Sequence, residues 1–342
     1  MKNRRNIEDA VLGVYRKVSP SYHPMNTKKE LQAMHRQRAN LLARLGIPEQ
    51  LFKSKKLLDI GGGTGEKSLF YSKFGADVTI LEPNEISRAR AKGLFKAWGS
   101  RVRFIPKGLF DIPPREIGRY DIVVCDGVLP NTYDPKKGLD LIASHLKKGA
   151  VLLIGVAEEH GWFKRSLQRE LVFRFAGRNE KKIVATTKKY FQEHLDRAVK
   201  FGLRSEASVI YDTFVNRQVE TMTLKDLCGI LRSSGVRYLS SYPTLNRFQE
   251  ARPWSQDKPD AFDYAAHRDY YRLLEALWKT SGEENADDAN FLKRAYRARK
   301  ESKALDALRR KIREGSFSAA DLRPIQKGYL GVGLHFFAGW KE

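Results

Sequence analysis

The sequence predicts an α/β protein whose doubly wound, mostly parallel sheet has seven strands. Short apolar runs alternate with helical stretches between residues 56 and 157, and the chain closes on an apolar run interrupted by glycines. Strand, helix and strand in repetition produce parallel neighbours that are joined by right-handed crossovers. A strand at the end of the chain, after a long polar helical stretch, indicates a helical insertion before the last strand. The length of 342 residues and the 42% apolar content suffice for a buried core.

We divide the chain into four predicted segments. Residues 1–55 form a basic helical cap, residues 56–243 an α/β core, residues 244–328 a helical insertion and residues 329–342 the last core strand. Within the core, residues 158–205 are predicted to form a helical segment that shapes a substrate pocket. The boundaries follow the points where the short apolar runs give way to basic or polar helical stretches.

Individual elements follow from hydrophobic periodicity and from turn signals. Seven strands are predicted from the apolar runs KLLDI, DVTILE, RVRFI, YDIVVCD, AVLLIGV, VRYLSSYP and GYLGVGLHFFAGWK. Helices are predicted at residues 28–45, 66–74, 86–98, 135–146, 161–175, 188–201 and 261–314.

Charge and cysteine content restrict the class of protein. The formal net charge is +23, and the excess lies in the two flanks of the predicted parallel core. Such an excess favours an anionic partner such as nucleic acid, phosphate or a membrane surface. Cys125 and Cys228 are too few for a disulfide framework and are not spaced as metal ligands, so no metal is predicted. The first residues lack the pattern of a signal peptide, and no apolar run is long enough to span a membrane, so we expect a cytoplasmic protein.

The strongest local signal is LLDIGGGTGE at residues 57–66, an apolar strand followed by a glycine-rich turn. Glycines let backbone N–H groups approach a ligand at the carboxyl end of the sheet. The spacing of Gly61, Gly63 and Gly65 differs from the G-x-G-x-x-G pattern of dinucleotide-binding proteins, and residue 66 is Glu rather than the Lys of a P-loop. A nicotinamide dehydrogenase remains a weaker alternative, because the distal acid Glu82 is shared with dinucleotide folds.

This stretch resembles the first motif of S-adenosylmethionine (SAM)-dependent methyltransferases, especially the small-molecule group called types 11 and 12. The resemblance implies that Asp59 acts on the methionine amino group of SAM, directly or through water, and that Glu82 binds the ribose hydroxyls. It also implies that Asp111 accepts a bond from the adenine amino group. The cofactor-binding residues predicted in this way are Asp59, Gly61, Gly62, Gly63, Gly65, Glu82, Pro83, Asp111, Asp126 and Gly127.

The acceptor side of such a site follows the fourth strand. Many small-molecule methyltransferases have G-V-L-H-H-x-x-D-P there, and this chain replaces the two His by Pro130 and Asn131. Asn131, Tyr133 and His160 are therefore the catalytic candidates, although His160 can equally be a solvated loop histidine. Tyr22 and His23 are weaker candidates for a base, because such residues before a helix more often serve packing.

Several absences in the sequence bear on the acceptor. The D/N-P-P-Y/F tetrad of base and protein-glutamine N-methyltransferases does not occur. The cysteine pair of RNA cytosine C5-methyltransferases is not found either, since Cys125 lies in a predicted buried strand. A small or medium-sized acceptor, anionic or glycan-linked, is therefore favoured. The alternative hypothesis is an RNA methyltransferase that binds phosphates through the basic flanks. A third hypothesis is a non-catalytic protein with the SAM-binding fold. The basic run at residues 293–300 is interpreted as a solvated helix face rather than a phosphate-reading one.

Overall fold

Seven strands form one sheet at the centre of the molecule. In the computed structural model they are β1 (Lys56–Ile60), β2 (Asp77–Leu81), β3 (Arg103–Ile105), β4 (Ile122–Asp126), β5 (Val151–Val156), β6 (Val236–Tyr242) and β7 (His335–Lys341). Their spatial order is β3-β2-β1-β4-β5-β7-β6. The first five strands are mutually parallel, whereas β7 runs antiparallel to both β5 and β6. The predicted seven-stranded, mostly parallel sheet is confirmed.

The structure describes residues 4–18, 27–202, 204–245, 260–280, 290–327 and 333–342. The α-helices in these ranges are α1 (Arg4–Lys17), α2 (Lys28–Arg44), α3 (Glu66–Lys73), α4 (Glu85–Ala97), α5 (Pro114–Ile117), α6 (Pro135–Ser144), α7 (Phe163–Ala176), α8 (Glu180–Gly202), α9 (Glu206–Ile210), α10 (Leu224–Ser233), α11 (Tyr264–Thr280), α12 (Phe291–Glu314) and α13 (Ala319–Gln326). A π-helical turn at Tyr211–Val215 follows α9 directly. Among these helices, none has the length and apolarity that crossing a membrane requires.

Helices cover both faces of the sheet, which explains why its strands are continuous apolar runs. On one face, α2, α3 and α4 contribute Leu31, Phe70 and Phe95 to a buried cluster with β1 and β2. The opposite face is covered by α6, α10, α11 and α12, with Trp278 of α11 fully buried. The core is therefore a three-layer arrangement that leaves the carboxyl ends of the parallel strands open for a site.

A third buried cluster joins α7, α8, α13 and the second half of α12. Arg169 of α7 is buried there and donates to the backbone carbonyl oxygens of Thr213 and Asn216, the latter at 2.9 Å. A buried guanidinium requires such acceptors, since an unpaired charge in the interior is costly. These bonds hold the π-helical turn, whose residues reach the site described below.

The predicted helices and strands agree with the structure in their main features and differ at three places. The polar stretch at 261–314 is two helices, α11 and α12, and the helix predicted at 188–201 begins earlier, at Glu180. The last strand begins at His335, and the glycine run at 328–332 lies outside the described residues. Helix α1 lies within the predicted basic helical cap, but no separate helix was predicted at these residues.

Candidate cofactor and acceptor site

A cavity of about 570 Å³ lies at the carboxyl ends of β1, β2 and β4. The strand order reverses between β1 and β4, and ligands of open α/β sheets bind at such a switch point. Residues of α1 form one wall of the cavity, and Arg204 and Asp212, which flank α9, form another. The cavity is thus built from the sheet edge, from the start of the chain and from the segment after α8.

Glycines are required in the turn that follows β1. Gly61 has a φ of +66°, and a Cβ there would lie 2.3 Å from Cγ2 of Val128. Gly65 has a φ of +87°, and its Cβ would lie 2.9 Å from the Cβ of Ala91 in α4. L-residues with side chains rarely adopt this backbone region. Gly61 and Gly63 line the cavity, whereas Gly62 and Gly65 do not and serve the close packing of the turn.

Asp59 lies beneath the glycine turn and does not line the cavity. Its side chain is buried, and Oδ2 accepts a hydrogen bond of 2.6 Å from the hydroxyl of Ser68 in α3. Burial raises the pKa of Asp59 from its usual 3.8 to about 6, although the Ser68 bond and the Arg38 charge oppose this shift. The structure therefore places Asp59 where it supports the turn rather than where it contacts a ligand directly.

A pH dependence of stability follows from this pKa. Because the folded state binds the Asp59 proton more tightly than the unfolded state, ionisation between about pH 4 and pH 6 lowers the free energy of unfolding. Asp59→Asn removes the titration and keeps an oxygen for Ser68. Relative to the variant, we expect the wild type to lose on the order of 2–3 kcal/mol across this range. Urea unfolding of both cofactor-free proteins at four pH values measures the difference, and parallel curves would contradict it.

Glu82 at the end of β2 ties the glycine turn to the neighbouring strand. Its Oε2 accepts from the backbone N–H of Gly63 at 3.0 Å, and its Oε1 accepts from that of Asn84 at 2.8 Å. Burial raises the pKa of Glu82, and these two bonds oppose the rise. A carboxylate oxygen can accept two hydrogen bonds. Each oxygen of Glu82 therefore keeps one acceptor position for a ribose hydroxyl, and Pro83 beside it also lines the cavity.

Asp126 is the second acid at the sheet edge. Burial would raise its pKa, but Lys67 at 2.7 Å and Arg38 at 2.9 Å hold it below the usual value. Both cations bind Oδ2, and in the described residues Oδ1 has no hydrogen-bond partner. A buried acceptor without a partner is unusual in native proteins. Asp126 and Gly127 line the cavity, but Oδ1 itself is buried against Gly155 of β5, where an added Cβ would lie 2.8 Å from it.

Asp111 follows β3 on a short 3-10 turn and lines the cavity near its mouth. Its carboxylate is half-exposed and forms an ion pair with Arg4 of α1, whose guanidinium also lies 5.3 Å from the ring centre of Phe110. The carboxylate predicted to accept from adenine is thus engaged with α1 in this structure. An adenine amino group would have to share it with Arg4.

Helix α1 covers the cavity and is held mainly by polar contacts. Arg16 donates two bonds to Glu85 at the start of α4, and Lys17 pairs with Glu180 at 2.9 Å. Val11 is the buried apolar residue of the helix. Exposed ion pairs contribute at most about 1 kcal/mol each. The two exposed pairs therefore contribute little individually, and Tyr15 of the same helix adds a part-buried contact.

One side of the cavity carries a connected polar network. Tyr15 of α1 donates to Oδ1 of Asp212 at 3.0 Å, and Arg204 binds Oδ2 of the same carboxylate at 2.8 Å. The amide nitrogen of Asn216 donates to the Tyr15 hydroxyl at 3.2 Å and to Oδ1 of Asn131 at 2.8 Å. Burial and the Asp212 charge raise the pKa of Tyr15 well above its usual value, so its hydroxyl stays protonated.

The three predicted catalytic residues lie in different places. Asn131 lines the cavity and donates to the Gly127 carbonyl oxygen at 2.9 Å. Tyr133 does not line it, because its ring packs against Phe110 with 4.5 Å between centroids. His160 lines a different cavity. The weaker candidates Tyr22 and His23 lie outside the described residues.

The prediction that His160 acts as a base in the cofactor cavity needs correction. Its Nδ1 lies 2.9 Å from Oε1 of Glu158, which is fully buried. Burial would lower the pKa of His160, but the Glu158 carboxylate raises it overall. His160 lines a different cavity and does not lie at the cofactor cavity, so it is not placed there as a base.

Sequence reasoning missed the residues that close the site. Tyr15 lies on α1, where Ile7, Val11 and Val14 recur at helical spacing and could have indicated a helix. Asp212 and Asn216 belong to a segment, YDTFVN, that carries no recognised motif. No local pattern reveals that these residues meet, because they are about two hundred positions apart in the chain.

A family model described as a methyltransferase domain matches residues 31–241, well over half of the chain. The chain belongs to this methyltransferase family. The matched range contains all five parallel strands, the glycine turn, Glu82 and Asp126. The dehydrogenase alternative is thereby removed, and SAM is the cofactor of the domain. Helix α1, which covers the cavity, lies before the matched range.

Two curated relatives are methyltransferases of different acceptors. A thiol S-methyltransferase of Homo sapiens is 28% identical over 44% of this chain and 65% of its own length. A ubiquinone biosynthesis O-methyltransferase of Erwinia tasmaniensis is 26% identical over 36% of this chain and 52% of its own. The chain thus spans between about half and two thirds of these relatives.

A solved structure of magnesium protoporphyrin IX methyltransferase from Synechocystis, with bound SAM, is 15% identical. The match covers 68% of this chain and 82% of that one, with a TM-score of 0.39.

Proposed function

We propose that the protein transfers the methyl group of SAM to a small or medium-sized acceptor that binds beneath α1. The observation that most supports this proposal is that α1 covers the cavity. The cavity of about 570 Å³ is walled by α1 and by the segment around Asp212, and ligand sites of small molecules span about 300–1,000 Å³. SAM would take a large share of that volume, which leaves room for a compact acceptor.

The cofactor fits the residues at the sheet edge. Glu82 offers two acceptor positions for ribose hydroxyls, and Asp126 also lines the cavity. Gly61 and Gly63 allow the ligand to approach the backbone between these two acids. When bound, SAM supplies an electrophilic methyl group on a sulfonium, and the chain itself has to align the acceptor and exclude water.

The acceptor would bind at the network of Tyr15, Asp212, Asn216 and Asn131. Methyl transfer is an in-line displacement that needs alignment more than a protein nucleophile. Arg204 and Asp212 present both charges at this end of the cavity, so polar or charged acceptors suit it. The network hydrogen bonds fix the side-chain directions, which is how a site gains positional accuracy.

A labelling experiment tests the proposal. The purified protein is incubated with methyl-labelled SAM and, in separate reactions, with a low-molecular-weight metabolite fraction or with total RNA. Label in the small-molecule fraction supports the proposal. Label confined to RNA would overturn the acceptor class. Failure of SAM and S-adenosylhomocysteine to bind in calorimetry, with NAD as the comparison ligand, would overturn the cofactor site.

Tyr15→Phe tests the acceptor end separately from the cofactor end. The change removes the hydroxyl that donates to Asp212 and accepts from Asn216, and it keeps the ring. We expect the KM for the acceptor to rise about tenfold, while the Kd of SAM changes less than about twofold. Tyr190→Phe is the matched control, because Tyr190 stacks on Phe175 and does not line the cavity. Equal effects of the two substitutions would contradict the assignment.

A further inference from the structure

A second cavity, of about 590 Å³, lies between α11 and α12 and reaches His160 after β5. In the described part of the chain it shares no lining residue with the cofactor cavity. Its walls are formed by His160, Arg272, Glu275, Ala276, Lys279, Arg299, Lys300, Ser302 and Lys303.

The lining of this cavity is strongly basic. Five Lys and Arg side chains face one carboxylate, that of Glu275, which accepts a bond of 3.1 Å from Tyr264. Within the described ranges, Arg299, Lys300 and Lys303 of α12 form no ion pair with a carboxylate. Like charges gathered in a concave surface repel one another and focus a positive potential. The cations of the cavity are thus arranged for an anion rather than for one another.

Two of the cationic groups are anchored in the interior. Lys279 has a side chain only 7% exposed, pairs with Asp306 at 2.7 Å and lies 4.0 Å from the ring centre of Phe163. His160 is held by buried Glu158 through Nδ1, and its Nε2 has no hydrogen-bond partner in the described residues. This pairing leaves the imidazole Nε2–H as a donor at the cavity wall. The cavity therefore has an anchored inner part as well as exposed lysines, Lys300 and Lys303, at its surface.

We propose that this cleft binds the phosphate group of a phosphorylated small molecule. Guanidinium and ammonium groups are the usual ligands of phosphate oxygens, and Ser302 adds a hydroxyl donor. The volume exceeds that of a single phosphate and lies within the range of small-molecule sites. A nucleic-acid strand instead needs cations spread along a track, whereas here they converge on one cavity. The inference does not depend on the acceptor proposed above.

The two cavities are linked through one packed contact. Leu334 lines the cofactor cavity, and its neighbour His335 is fully buried with its ring centre 4.5 Å from that of Trp278 in α11. Lys279, the next residue of that helix, lines the phosphate cleft. A ligand in the cleft therefore contacts a helix that is packed against the start of β7, beside the cofactor cavity.

Calorimetry with the full chain tests the proposal, with inorganic pyrophosphate, glucose 6-phosphate, glucose and a single-stranded RNA of about twenty nucleotides as probes. The test variant is Lys300→Gln with Lys303→Gln. The control is Lys293→Gln with Arg310→Gln, two exposed residues of the same helix that do not line the cleft. Both variants lose two positive charges.

We expect pyrophosphate and glucose 6-phosphate to bind the wild type and glucose not to bind. The test variant should lose at least about tenfold in affinity for the phosphorylated probes, and the control variant less than about twofold. SAM binding should be unchanged in both, which separates failure of the cleft from failure of the cofactor site. Equal losses in both variants, or no phosphate binding by the wild type, would overturn the proposal. RNA binding without binding of the small phosphates would overturn it in favour of a nucleic-acid surface.

Discussion

Gly61→Ala is expected to destabilise the protein and to weaken SAM binding strongly. The left-handed backbone at φ +66° costs an L-residue about 1–2 kcal/mol. The new Cβ would also lie 2.3 Å from Val128, so that side chain has to move, and overpacking of this kind costs about 1–3 kcal/mol more. Because Val128 and the glycine turn both line the cavity, we expect the affinity for SAM to fall by at least about a hundredfold.

Gly149→Ala is the matched control for this experiment. Gly149 also has a positive φ, +76°, but a Cβ there meets nothing within 4 Å, and it lies before β5 at the opposite edge of the sheet. The Gly149→Ala variant should be destabilised only by the cost of the left-handed backbone, and it should keep its affinity for SAM. Urea unfolding and calorimetric titration with SAM measure both effects. Equal destabilisation of the two variants would show that the contact with Val128 is unimportant.

Glu82→Ala is expected to weaken the binding of SAM and S-adenosylhomocysteine by at least about a hundredfold. The substitution removes the carboxylate that is proposed to accept from two ribose hydroxyls, and it releases the backbone N–H groups of Gly63 and Asn84. Hydrogen bonds to a charged acceptor contribute about 1.5–3 kcal/mol each, and tenfold in affinity corresponds to about 1.4 kcal/mol. Two such bonds account for the expected loss without any change in the fold.

Asp77→Ala provides the control, since Asp77 begins the same strand, β2, at the end away from the cavity. Its carboxylate is 58% exposed and pairs with Arg103 at the surface. Circular dichroism of both variants shows whether the fold is retained, and calorimetry measures the affinity. Glu82→Ala protein that is folded and binds SAM within about threefold of the wild type would contradict the role of Glu82.

The parallel core could be predicted because its signals are local. Each strand is a short apolar run, and the spacing of the glycine turn after β1 differs from those of dinucleotide-binding and P-loop sites. Glu82 and Asp126 were found in the same way, because a residue that follows a parallel strand must lie at the carboxyl edge of the sheet. The positions of these residues at the sheet edge follow from strand register and hydrophobic periodicity alone.

Other parts of the site could not be predicted, because they depend on contacts between distant segments. Asp59 carries the family's acidic signature, yet the structure places its carboxylate under the turn, bonded to Ser68. His160 follows a strand as a site residue should, yet Glu158 and α11 direct it to a different cavity. Whether a side chain faces a ligand or the interior is decided by its neighbours, and no local pattern contains them.

The charge distribution also has one part that the sequence predicts and one part that depends on tertiary packing. Composition places the excess of basic residues in the flanks, and the basic run of α12 was interpreted as a solvated face. Only the packing of α11 beside α12 gathers Lys279, Arg299 and Lys303 around one cavity.

By itself, the sequence determined the order of strands and helices in the core and the glycine turn, since these follow from spacing along one stretch of chain, and the resemblance of this turn to a methyltransferase motif implied the class of cofactor. The tertiary structure alone decided that α1 covers the cavity, that Tyr15 meets Asp212 and Asn216, and that a basic cleft forms beside His160. The physical reason is that backbone conformation is set mostly by near neighbours, whereas a binding surface is set by which distant side chains are packed together.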